Sequence, residues 1–382
     1  MAQTAFFVPL ALGWIFAALY VRRGMRRIPH VRNVSPVSAR KHPKISILFA
    51  ARDEAKNLPA ALSSLAALDY PQLQIIAIDD RSADGTGKIL DDFAALHPNA
   101  KAIHVTDLPS GWLGKPHALQ KGVEHASGEW LIFTDGDVQM GSDLVARALA
   151  LAEMKQWHYL TLTARLDIRG LWEAAAIGYL GMLLTFLVRP WLVSDPKSAS
   201  YMGVGAFQLI RRTTYDAVGG HARLAMEVID DMKLAKIVKV AGFPLGLAAG
   251  DHLVRVRWHD GIGNVIRGVT KNFFAGFSFQ VWQALVAIVG ILVISIAPAA
   301  GVIACHGAAR VVAAAAVATA MVLTGRLLRE AGASQLYGLA HPIGAVIVIV
   351  MILTSMVTTL WRGGIIWRGT FYRLDELKRG LM

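Results

Sequence analysis

Long apolar segments near both ends of the chain, with a more polar stretch between them, restrict the folds available to it. Ala5–Val21 carries no charged residue and approaches the length that a helix needs to cross a bilayer. Val281–Ala300, Ala309–Leu323 and Pro342–Leu360 are further apolar segments. The mean hydropathy of +0.45 is high for a soluble protein and low for one embedded throughout. The pattern predicts a soluble domain flanked by N- and C-terminal transmembrane helices.

Basic residues concentrate beside the first apolar segment. The stretch from Arg22 to Lys44 contains several Lys and Arg residues and no acid. By the positive-inside rule, the N-terminus lies outside and the following residues lie in the cytoplasm. A retained anchor over residues 1–22 is favoured over a cleaved signal peptide, because the basic residues follow the apolar run and no small-residue cleavage site ends it. We expect a multi-pass protein of a bacterial-type inner membrane with a cytoplasmic catalytic domain.

The C-terminal residues leave the number of spans open. Residues 276–362 are predicted to hold the C-terminal transmembrane helices, and residues 363–382 a cytoplasmic tail. Three spans after a cytoplasmic domain would leave this tail outside, although its basic residues favour the inside. One segment is therefore expected not to span. The segment that starts at Ala309 is the shortest and has Arg310 at its edge.

Several classes of site and partner can be set aside. Cys305 is the single cysteine, so the chain has neither an internal disulfide nor a cysteine metal site. No His pattern of the zinc type is present, and neither a G-x-G-x-x-G nor a P-loop motif occurs. Much of the net charge of +12 lies in the membrane-flanking regions, so no nucleic-acid partner is expected.

Residues 43–275 have the pattern of an α/β domain, in which buried strands alternate with helices. The predicted strands are Lys44–Ala50, Leu73–Asp80, Ala100–Val105 and Trp130–Asp135. The predicted helices between them are Leu58–Leu68, Thr86–Leu96 and Pro116–Ala126. Strands that alternate with helices imply right-handed crossovers and a mostly parallel sheet. Ligands of such sheets bind beyond the carboxyl ends of the strands.

Acidic residues follow two of these strands at that edge. Asp79–Asp80 ends one strand, and Asp135 and Asp137 form an Asp-Gly-Asp sequence after another. Carboxylates are hard ligands that suit Mg²⁺ or Mn²⁺, and such ions usually bridge to substrate phosphates. Asp-Gly-Asp is also a common turn sequence. For this motif taken alone, the turn is the favoured interpretation.

Three further motifs change that balance when they are taken in order along the chain. They are "AARDEAKNL" (Ala50–Leu58) with "AIDDRSADGTGKIL" (Ala77–Leu90), "GWLGKPHAL" (Gly111–Leu119), and "GVGAFQLIRRTTYDAVGGH" (Gly203–His221) followed by "AMEVIDDMKLAKIVKVAGF" (Ala225–Phe243). With these motifs the chain resembles a membrane-anchored family 2 glycosyltransferase with a GT-A (Rossmann-like) fold. It is similar to the lipid-directed branch that includes ceramide, carotenoid and hopene-associated glycosyltransferases. The resemblance covers most of the chain, including the tail.

The resemblance implies a role for each matching residue. Among these residues, Asp80 is the one expected to contact the base or ribose. The positions implied for the nucleotide-sugar are Asp53, Glu54, Asp79, Asp80, Lys115, Asp135, Arg257 and Trp258. Asp137 would bind the divalent cation, Mg²⁺ or Mn²⁺, with Asp135 beside it. The backbone floor of the acceptor pocket would be Gly205, Ala206 and Phe207. Asp231 would be the catalytic base within the acidic pair Asp230–Asp231.

One departure from the family pattern concerns the type of product. Related synthases carry [QR]-x-x-R-W, whereas this chain keeps Arg257–Trp258 but has Val254 in the first position. We expect inverting transfer of a single sugar from a nucleotide-sugar, a UDP-hexose, to a lipid acceptor at the cytoplasmic face of the membrane. A processive polysaccharide synthase and a non-catalytic nucleotide-sugar-binding membrane protein are the alternatives. Arg257 and Trp258 could also serve only as an interfacial anchor.

The apolar segment Leu171–Val188 lies within the predicted domain. It contains Glu173 and is followed by Arg189 and Pro190. We expect a helix over about 171–190 that lies in the membrane surface. A core helix is the alternative, and a membrane span is less favoured still.

Overall fold

The computed structural model describes residues 1–36, 42–257 and 261–380. The chain forms two compact units. The α/β unit contains Ile28–Arg165, Pro190–Arg257 and the last residues from Arg379. The helical unit contains Met1–Arg27, Leu166–Arg189 and the residues up to Lys378.

The strands and helices of the described residues take the following bounds. The strands are β1 (Ile45–Ala51), β2 (Leu73–Asp80), β3 (Ala100–Val105), β4 (Trp130–Asp135), β5 (Val138–Met140), β6 (Tyr159–Thr163), β7 (Arg165–Leu166), β8 (Gln208–Arg211), β9 (Leu245–Ala249), β10 (Val254–Val256), β11 (Gly364–Trp367) and β12 (Thr370–Arg373). The helices are α1 (Ala2–Met25), α2 (Leu58–Ala66), α3 (Thr86–Leu96), α4 (Gly114–Val123), α5 (Leu144–Met154), α6 (Leu171–Val188), α7 (Arg212–Ala217), α8 (Asp230–Val240), α9 (Ile262–Gly276), α10 (Val281–Ile291), α11 (Ala297–Ala304), α12 (Gly307–Glu330), α13 (His341–Arg362) and α14 (Leu374–Arg379).

A seven-stranded sheet in the order β3-β2-β1-β4-β8-β6-β9 forms the centre of the α/β unit. Strand β1 pairs in parallel with β2 and β4, β2 with β3, and β6 with β9. Only β8 runs antiparallel to both of its neighbours, β4 and β6. The structure confirms the predicted α/β class and the mostly parallel sheet. The four predicted strands match β1 to β4, with a shift of one residue in the first.

The parallel strands are apolar along almost their whole length because helices cover the sheet. All residues of β1 are buried, as are all but one of β2. This continuous burial is expected for parallel strands with both faces covered, and it explains why their sequences show no alternation. The carboxylates of Asp79, Asp80 and Asp135 stand at the ends of their strands.

The helical unit is built from apolar helices. Among the described residues, five helices are long and apolar enough to cross a membrane: Ala2–Met25, Leu171–Leu192, Val281–Ala304, Gly307–Glu330 and Gln335–Arg362. The sequence favoured the Ala309 segment as the one that fails to span. In the structure this segment is part of the longer helix α12, which continues past Leu323 to Glu330.

Helix α6 belongs to the helical unit and packs against α12 and α13. Its apolar residues surround the helix instead of forming one stripe. An amphipathic surface helix would carry a polar face, so this circumference does not match the expected type of helix. Near its start, the buried Glu173 accepts hydrogen bonds from the backbone N–H groups of Arg169 and Gly261.

A few polar side chains inside the helical unit are paired with one another. Tyr179 Oη lies 2.8 Å from Ser295 Oγ, and Thr324 Oγ1 lies 2.9 Å from His341 Nδ1. Trp14 Nε1 donates to the carbonyl oxygen of Ile294 at 2.8 Å. Such pairing satisfies polar groups that have no access to water among apolar helices.

Candidate active site

The carboxyl ends of β1, β2 and β4 meet at one edge of the sheet, as the sequence predicts. In the parallel register Ala51 pairs with Asp79, and Ala50 pairs with Asp135. The residues that follow β1, Arg52 and Asp53, therefore stand between the two acidic strand ends. The loops after three separate strands thus supply side chains to one region.

Lys115 connects the end of the sheet to the start of α8. Its Nζ donates to Asp135 Oδ1 at 2.7 Å and lies 3.7 Å from Asp230 Oδ2. Burial opposes protonation of this lysine, but the carboxylates of Asp135, Asp230 and Asp231 more than compensate and raise its pKa. Lys115 is therefore a cation at physiological pH, held inside an acidic cluster.

Asp137 faces other carboxylates. Burial, and then the charges of Asp135 and Glu54, raise the pKa of Asp137 to about 7. Like charges at close range disfavour ionisation of the group they surround. A divalent cation would offset the repulsion among these carboxylates.

Asp135 and Asp137 fit a hard divalent cation such as Mg²⁺ or Mn²⁺. Both supply carboxylate oxygens, the ligand type that these ions prefer. Within the described residues, no group of three or more His, Cys, Asp or Glu side chains could hold a metal ion alone. Two protein carboxylates suffice when substrate phosphates and water complete the coordination shell, which is the usual arrangement for Mg²⁺.

Asp231 is fixed by backbone donors at the first turn of α8. Gly205 N donates to its Oδ2 at 3.0 Å, and Met232 N donates to its Oδ1 at 2.7 Å. Burial among protein atoms and the neighbouring Asp230 raise the pKa of Asp231 to about 6. The helix N-terminus favours carboxylates at both Asp230 and Asp231, which lie in its first turn.

Gly205 leaves room for two of these acids. A Cβ there would lie 2.6 Å from Asp135 Oδ2 and 3.4 Å from Asp231 Oδ2. The next two residues support the site through their backbone. Thr134 Oγ1 donates to the carbonyl oxygen of Ala206, and Thr161 Oγ1 donates to that of Phe207. Both side chains are buried in the core, so only backbone could contribute to an acceptor floor.

The loops after β1 and β2 are latched to each other. Asp53 N donates to Ser82 Oγ at 3.1 Å, and Ala83 N donates back to Asp53 Oδ1 at 2.8 Å. Glu54 N donates to Thr86 Oγ1 at 2.9 Å. Asp53 adopts a φ of +53°, which this short polar residue tolerates better than most. The latch explains why the two acidic sequences belong to one site.

Asp80 is the residue expected to contact the base or ribose, and in the structure its carboxylate is enclosed. Its side chain is 2% exposed, and Arg81 binds both of its oxygens, at 2.8 Å through Nε and at 3.2 Å through Nη2. Gly114 lies directly over the pair, since a Cβ there would be 2.5 Å from Asp80 Oδ2. Asp79 is 12% exposed and is the more accessible of the two acids.

The structure describes Arg257 of the Arg-Trp motif but not Trp258. β10 pairs antiparallel with β5 such that Val256 faces Val138, so Arg257 follows next to Asp137 in this register. Trp258 lies outside the described residues. Val254 is fully buried in the core, opposite Met140.

Two residues that sequence reasoning did not single out contact the predicted acids. Arg81 binds Asp80, and His104 lies 3.2 Å from Asp79 Oδ2. The parallel register of β2 and β3 pairs Asp79 directly with His104. The sequence predicts that β2 and β3 are neighbouring strands, but it does not give the register that pairs Asp79 with His104.

A mostly parallel sheet with carboxylates and one lysine gathered at its carboxyl edge is the arrangement of a GT-A domain. Residues 46–163 match the family model described as Glycosyl transferase family 2. The 4,4'-diaponeurosporenoate glycosyltransferase of Staphylococcus haemolyticus (strain JCSC1435) is 26% identical over 239 residues, which are 61% of this chain and 62% of the relative. The Probable glycosyltransferase YdaM of Bacillus subtilis (strain 168) is 29% identical over 149 residues, 36% of this chain and 34% of that protein.

A solved structure shares the fold over nearly the whole chain. It is the mannosyltransferase PcManGT from Pyrobaculum calidifontis, solved in complex with GDP-Man and Mn²⁺. Its TM-score is 0.56 at 19% sequence identity, and the match covers 94% of this chain and 99% of that chain. By contrast, this chain spans 62% of the length of the Staphylococcus haemolyticus relative.

Proposed function

We propose that this protein transfers one hexose from a nucleoside diphosphate sugar, a UDP-hexose, to a lipid acceptor with inversion at the anomeric carbon. The observation that carries the proposal is the acidic edge, where Lys115 joins Asp135 to Asp230 and Asp137 stands beside Glu54. A metal-assisted diphosphate site and a base for an acceptor hydroxyl both require carboxylates in this region.

The donor would bind across the latched loops and the Asp-Gly-Asp turn. Asp79, with Asp53 and Glu54 beside it, would line the nucleoside pocket. Asp135 and Asp137 would hold Mg²⁺ or Mn²⁺, which supplies positive charge for the departing diphosphate when it is bound. Lys115 and Arg257 would add fixed positive charge next to the same group.

Asp231 would act as the general base, with Asp230 beside it. The acceptor hydroxyl would lose its proton to the Asp231 carboxylate while its oxygen forms a bond to the anomeric carbon of the sugar. The bond from that carbon to the diphosphate oxygen would break, and its electron pair would leave with the diphosphate. A single displacement of this kind inverts the anomeric configuration and needs no enzyme nucleophile.

The lipid nature of the acceptor is proposed from the apolar helices and from the relatives. The Staphylococcus relative is named for a carotenoid-type acid acceptor. Within the part of the chain that the structure describes, five helices have the length and composition of membrane spans. Transfer of one sugar, instead of polymer synthesis, is supported by Val254, which occupies the core where a synthase motif carries a polar side chain.

We further propose that α6 does not cross the membrane. β6 and β8 pair in one sheet, and α6 lies between them in the chain. A single crossing would put the two strands on opposite sides of the bilayer. Residues 193–207 are all described and form no returning helix. Both ends of α6 therefore lie on the side of the catalytic domain.

The tail lies on the same side. Gly380 packs against Met226 of the α/β unit, since a Cβ there would be 2.4 Å from Met226 Cβ. The chain must then cross the bilayer an even number of times between residues 261 and 378. We propose that α13 is the segment that does not span. Its first residue, His341, is 2% exposed and contacts Trp14, midway along α1, so the helix begins inside the helical unit.

The test is to incubate the detergent-purified full chain with Mg²⁺, a panel of UDP- and GDP-hexoses and a bacterial lipid extract. Mass spectrometry should detect a lipid that has gained one hexose. The Asp231→Asn variant should fail to make it, and Asp216→Asn, which changes an exposed surface acid paired with Arg212, should match the wild type. Long water-soluble polysaccharide as the main product, or no sugar transfer from any donor, would contradict the proposal.

A further inference from the structure

His104 bridges two carboxylates beside the edge of the sheet. Its Nδ1 lies 3.2 Å from Asp79 Oδ2, and its Nε2 lies 2.9 Å from Asp91 Oδ1 on α3. Asp79 also accepts a hydrogen bond from Ser82 N at 3.2 Å through its other oxygen. Both oxygens of Asp79 are thus held, one by a backbone amide and one by the imidazole.

The imidazole can donate to both acids only when it is protonated on both nitrogens. Hydrogen bonds from His104 to Asp91 and then to Asp79 raise the pKa of His104, against a smaller effect of burial. The side chain is 42% exposed, so it can exchange its proton with solvent. A neutral ring would keep one of the two bonds and turn a lone pair towards the other carboxylate.

The other charged groups around β3 are engaged elsewhere. On α3, Lys88 pairs with Asp92 at 2.9 Å. On α4, which also packs against β3, Lys121 pairs with Glu124 at 3.2 Å. Asp91 from α3 and Asp79 from β2 are therefore the charges that set the state of His104.

Gly87, in the first turn of α3, leaves room for the side chains of Asp79 and His104. A Cβ at this position would lie 2.8 Å from Asp79 Oδ2 and 3.4 Å from His104 Cε1. The first turn of α3 thus approaches the pair so closely that only glycine fits without displacing the carboxylate. The helix that supplies Asp91 and the strand that supplies Asp79 are locked around one imidazole.

We propose that His104, oriented by Asp91, is a positioning residue that holds Asp79 in the orientation required to accept a hydrogen bond from the donor's nucleoside. The proposal rests on the proposed function, in which Asp79 lines the nucleoside pocket. Nucleotide affinity should then depend on the protonation of a residue that does not itself touch the nucleotide.

Protonated His104 is the form that holds Asp79, so nucleotide binding should weaken as the pH rises. Below its raised pKa, His104 donates to both acids and Asp79 is held. As the pH rises through that pKa, one bond is lost and nucleotide binding weakens. Asp91→Asn removes the larger cause of the raised pKa, so the same loss should occur at lower pH.

The experiment measures the affinity of UDP and GDP for the detergent-purified full chain by titration calorimetry between about pH 6 and 8.5, with Mg²⁺ present. The variants are His104→Gln and Asp91→Asn. The matched control is Asp92→Asn, which removes the neighbouring acid on the same helix. Melting temperatures of all four proteins report whether a change is merely structural.

We expect wild-type affinity for the bound nucleotide to fall by about tenfold across this range, the order of one charge-assisted hydrogen bond. Asp91→Asn should shift the fall to lower pH, Asp92→Asn should follow the wild type, and His104→Gln should bind weakly without pH dependence. Equal profiles for Asp91→Asn and Asp92→Asn would overturn the inference. So would a loss in His104→Gln that is fully explained by a lower melting temperature. If the wild type binds neither nucleotide at any pH, the proposed function fails and this inference fails with it.

Discussion

Lys115 Nζ lies 2.7 Å from Asp135 Oδ1 and places one ammonium between the end of β4 and the start of α8. The same group is 3.7 Å from Asp230 Oδ2. Lys115 therefore neutralises part of an acidic cluster that a bound cation would otherwise have to neutralise alone. Its side chain is mostly buried, so the pairing is less screened by water than a surface ion pair.

Replacing Lys115 by Met should destabilise the protein and weaken donor binding. Loss of the ammonium leaves the carboxylates of Asp135 and Asp230 without their counter-ion, which destabilises the folded state, and water screens part of this effect because Asp135 is 42% exposed. Because the freed carboxylates can then use a metal ion for compensation, Mg²⁺ should raise the melting temperature of Lys115→Met more than that of the wild type. Thermal denaturation with Mg²⁺ and with EDTA measures the loss of stability and its response to the metal. A variant as stable as the wild type in EDTA would show that Lys115 does not serve as the counter-ion.

Asp137→Asn should make nucleotide binding less dependent on metal. The substitution keeps the shape of the side chain but removes the anionic oxygen that a hard cation prefers. UDP affinity in Mg²⁺ should fall towards the value measured in EDTA, while Asp216→Asn keeps the full metal response. If the wild type binds UDP equally well in EDTA, or if Asp137→Asn responds to Mg²⁺ as the wild type does, Asp-Gly-Asp is a turn and not a metal site.

Asp231→Asn should lower turnover and raise stability at the same time. A general base contributes about 10²-fold or more to the rate. Because the folded state raises the pKa of Asp231 to about 6, its charged form costs stability above that pH. The variant should therefore melt at a higher temperature than the wild type at pH 8, and the difference should shrink as the pH falls below about 6. The kcat/KM of the wild type should fall over the same acidic range.

This combination separates a base from a helix cap. A cap that is lost lowers the melting temperature and leaves turnover largely intact. Retention of the donor's anomeric configuration in the product, measured by NMR, would instead contradict the single displacement.

Gly205→Ala should abolish activity with a limited effect on folding. The added methyl group would lie 2.6 Å from Asp135 Oδ2, so this carboxylate must move away from Lys115. Gly181→Ala on α6 is the control, because a Cβ there meets no atom within 4 Å. Circular dichroism and donor turnover of the two variants give the comparison. Equal activities would show that Asp135 tolerates displacement.

The central strands and the acidic edge could be predicted from sequence because they depend on local patterns. β2 is predicted to the residue, and Asp79 and Asp135 fall at strand ends as expected. The antiparallel insertion of β8 between β4 and β6 could not be foreseen, because strand order depends on packing between segments far apart in the chain.

Side-chain roles within the edge were less predictable for the same reason. The Asp-Asp pair after β2 looks symmetrical in sequence, but Arg81 encloses Asp80 and His104 holds Asp79. Which of two adjacent acids is enclosed depends on the loop conformation, here a φ of +57° at Arg81, and on the glycine above it. The interfacial placement of α6 stays a prediction, because the sequence shows one charged residue near its start whereas the helix is apolar around its circumference.

The proposed membrane topology predicts which residues are reached from each side of the bilayer. In the proposed topology, the residues before and after α6 lie on one side of the bilayer because β6 and β8 share a sheet, and the tail is proposed to lie on that side as well because Gly380 packs on Met226. In a Cys305→Ser background, single cysteines would be placed at exposed positions and labelled with a membrane-impermeant maleimide in intact and inverted vesicles. The positions are Gln3, Asp167, Lys197, His306 and Glu376.

Asp167→Cys, Lys197→Cys and Glu376→Cys should label from the cytoplasmic face. Gln3→Cys and His306→Cys should label from the outer face, because α1, the helix pair α10–α11 and α12 each cross once. Labelling of Asp167→Cys and Lys197→Cys from opposite faces would show that α6 spans the bilayer, which a shared sheet does not allow. Labelling of Glu376→Cys from outside would instead show that α13 crosses. In that case the basic tail would lie against the positive-inside rule and away from Met226.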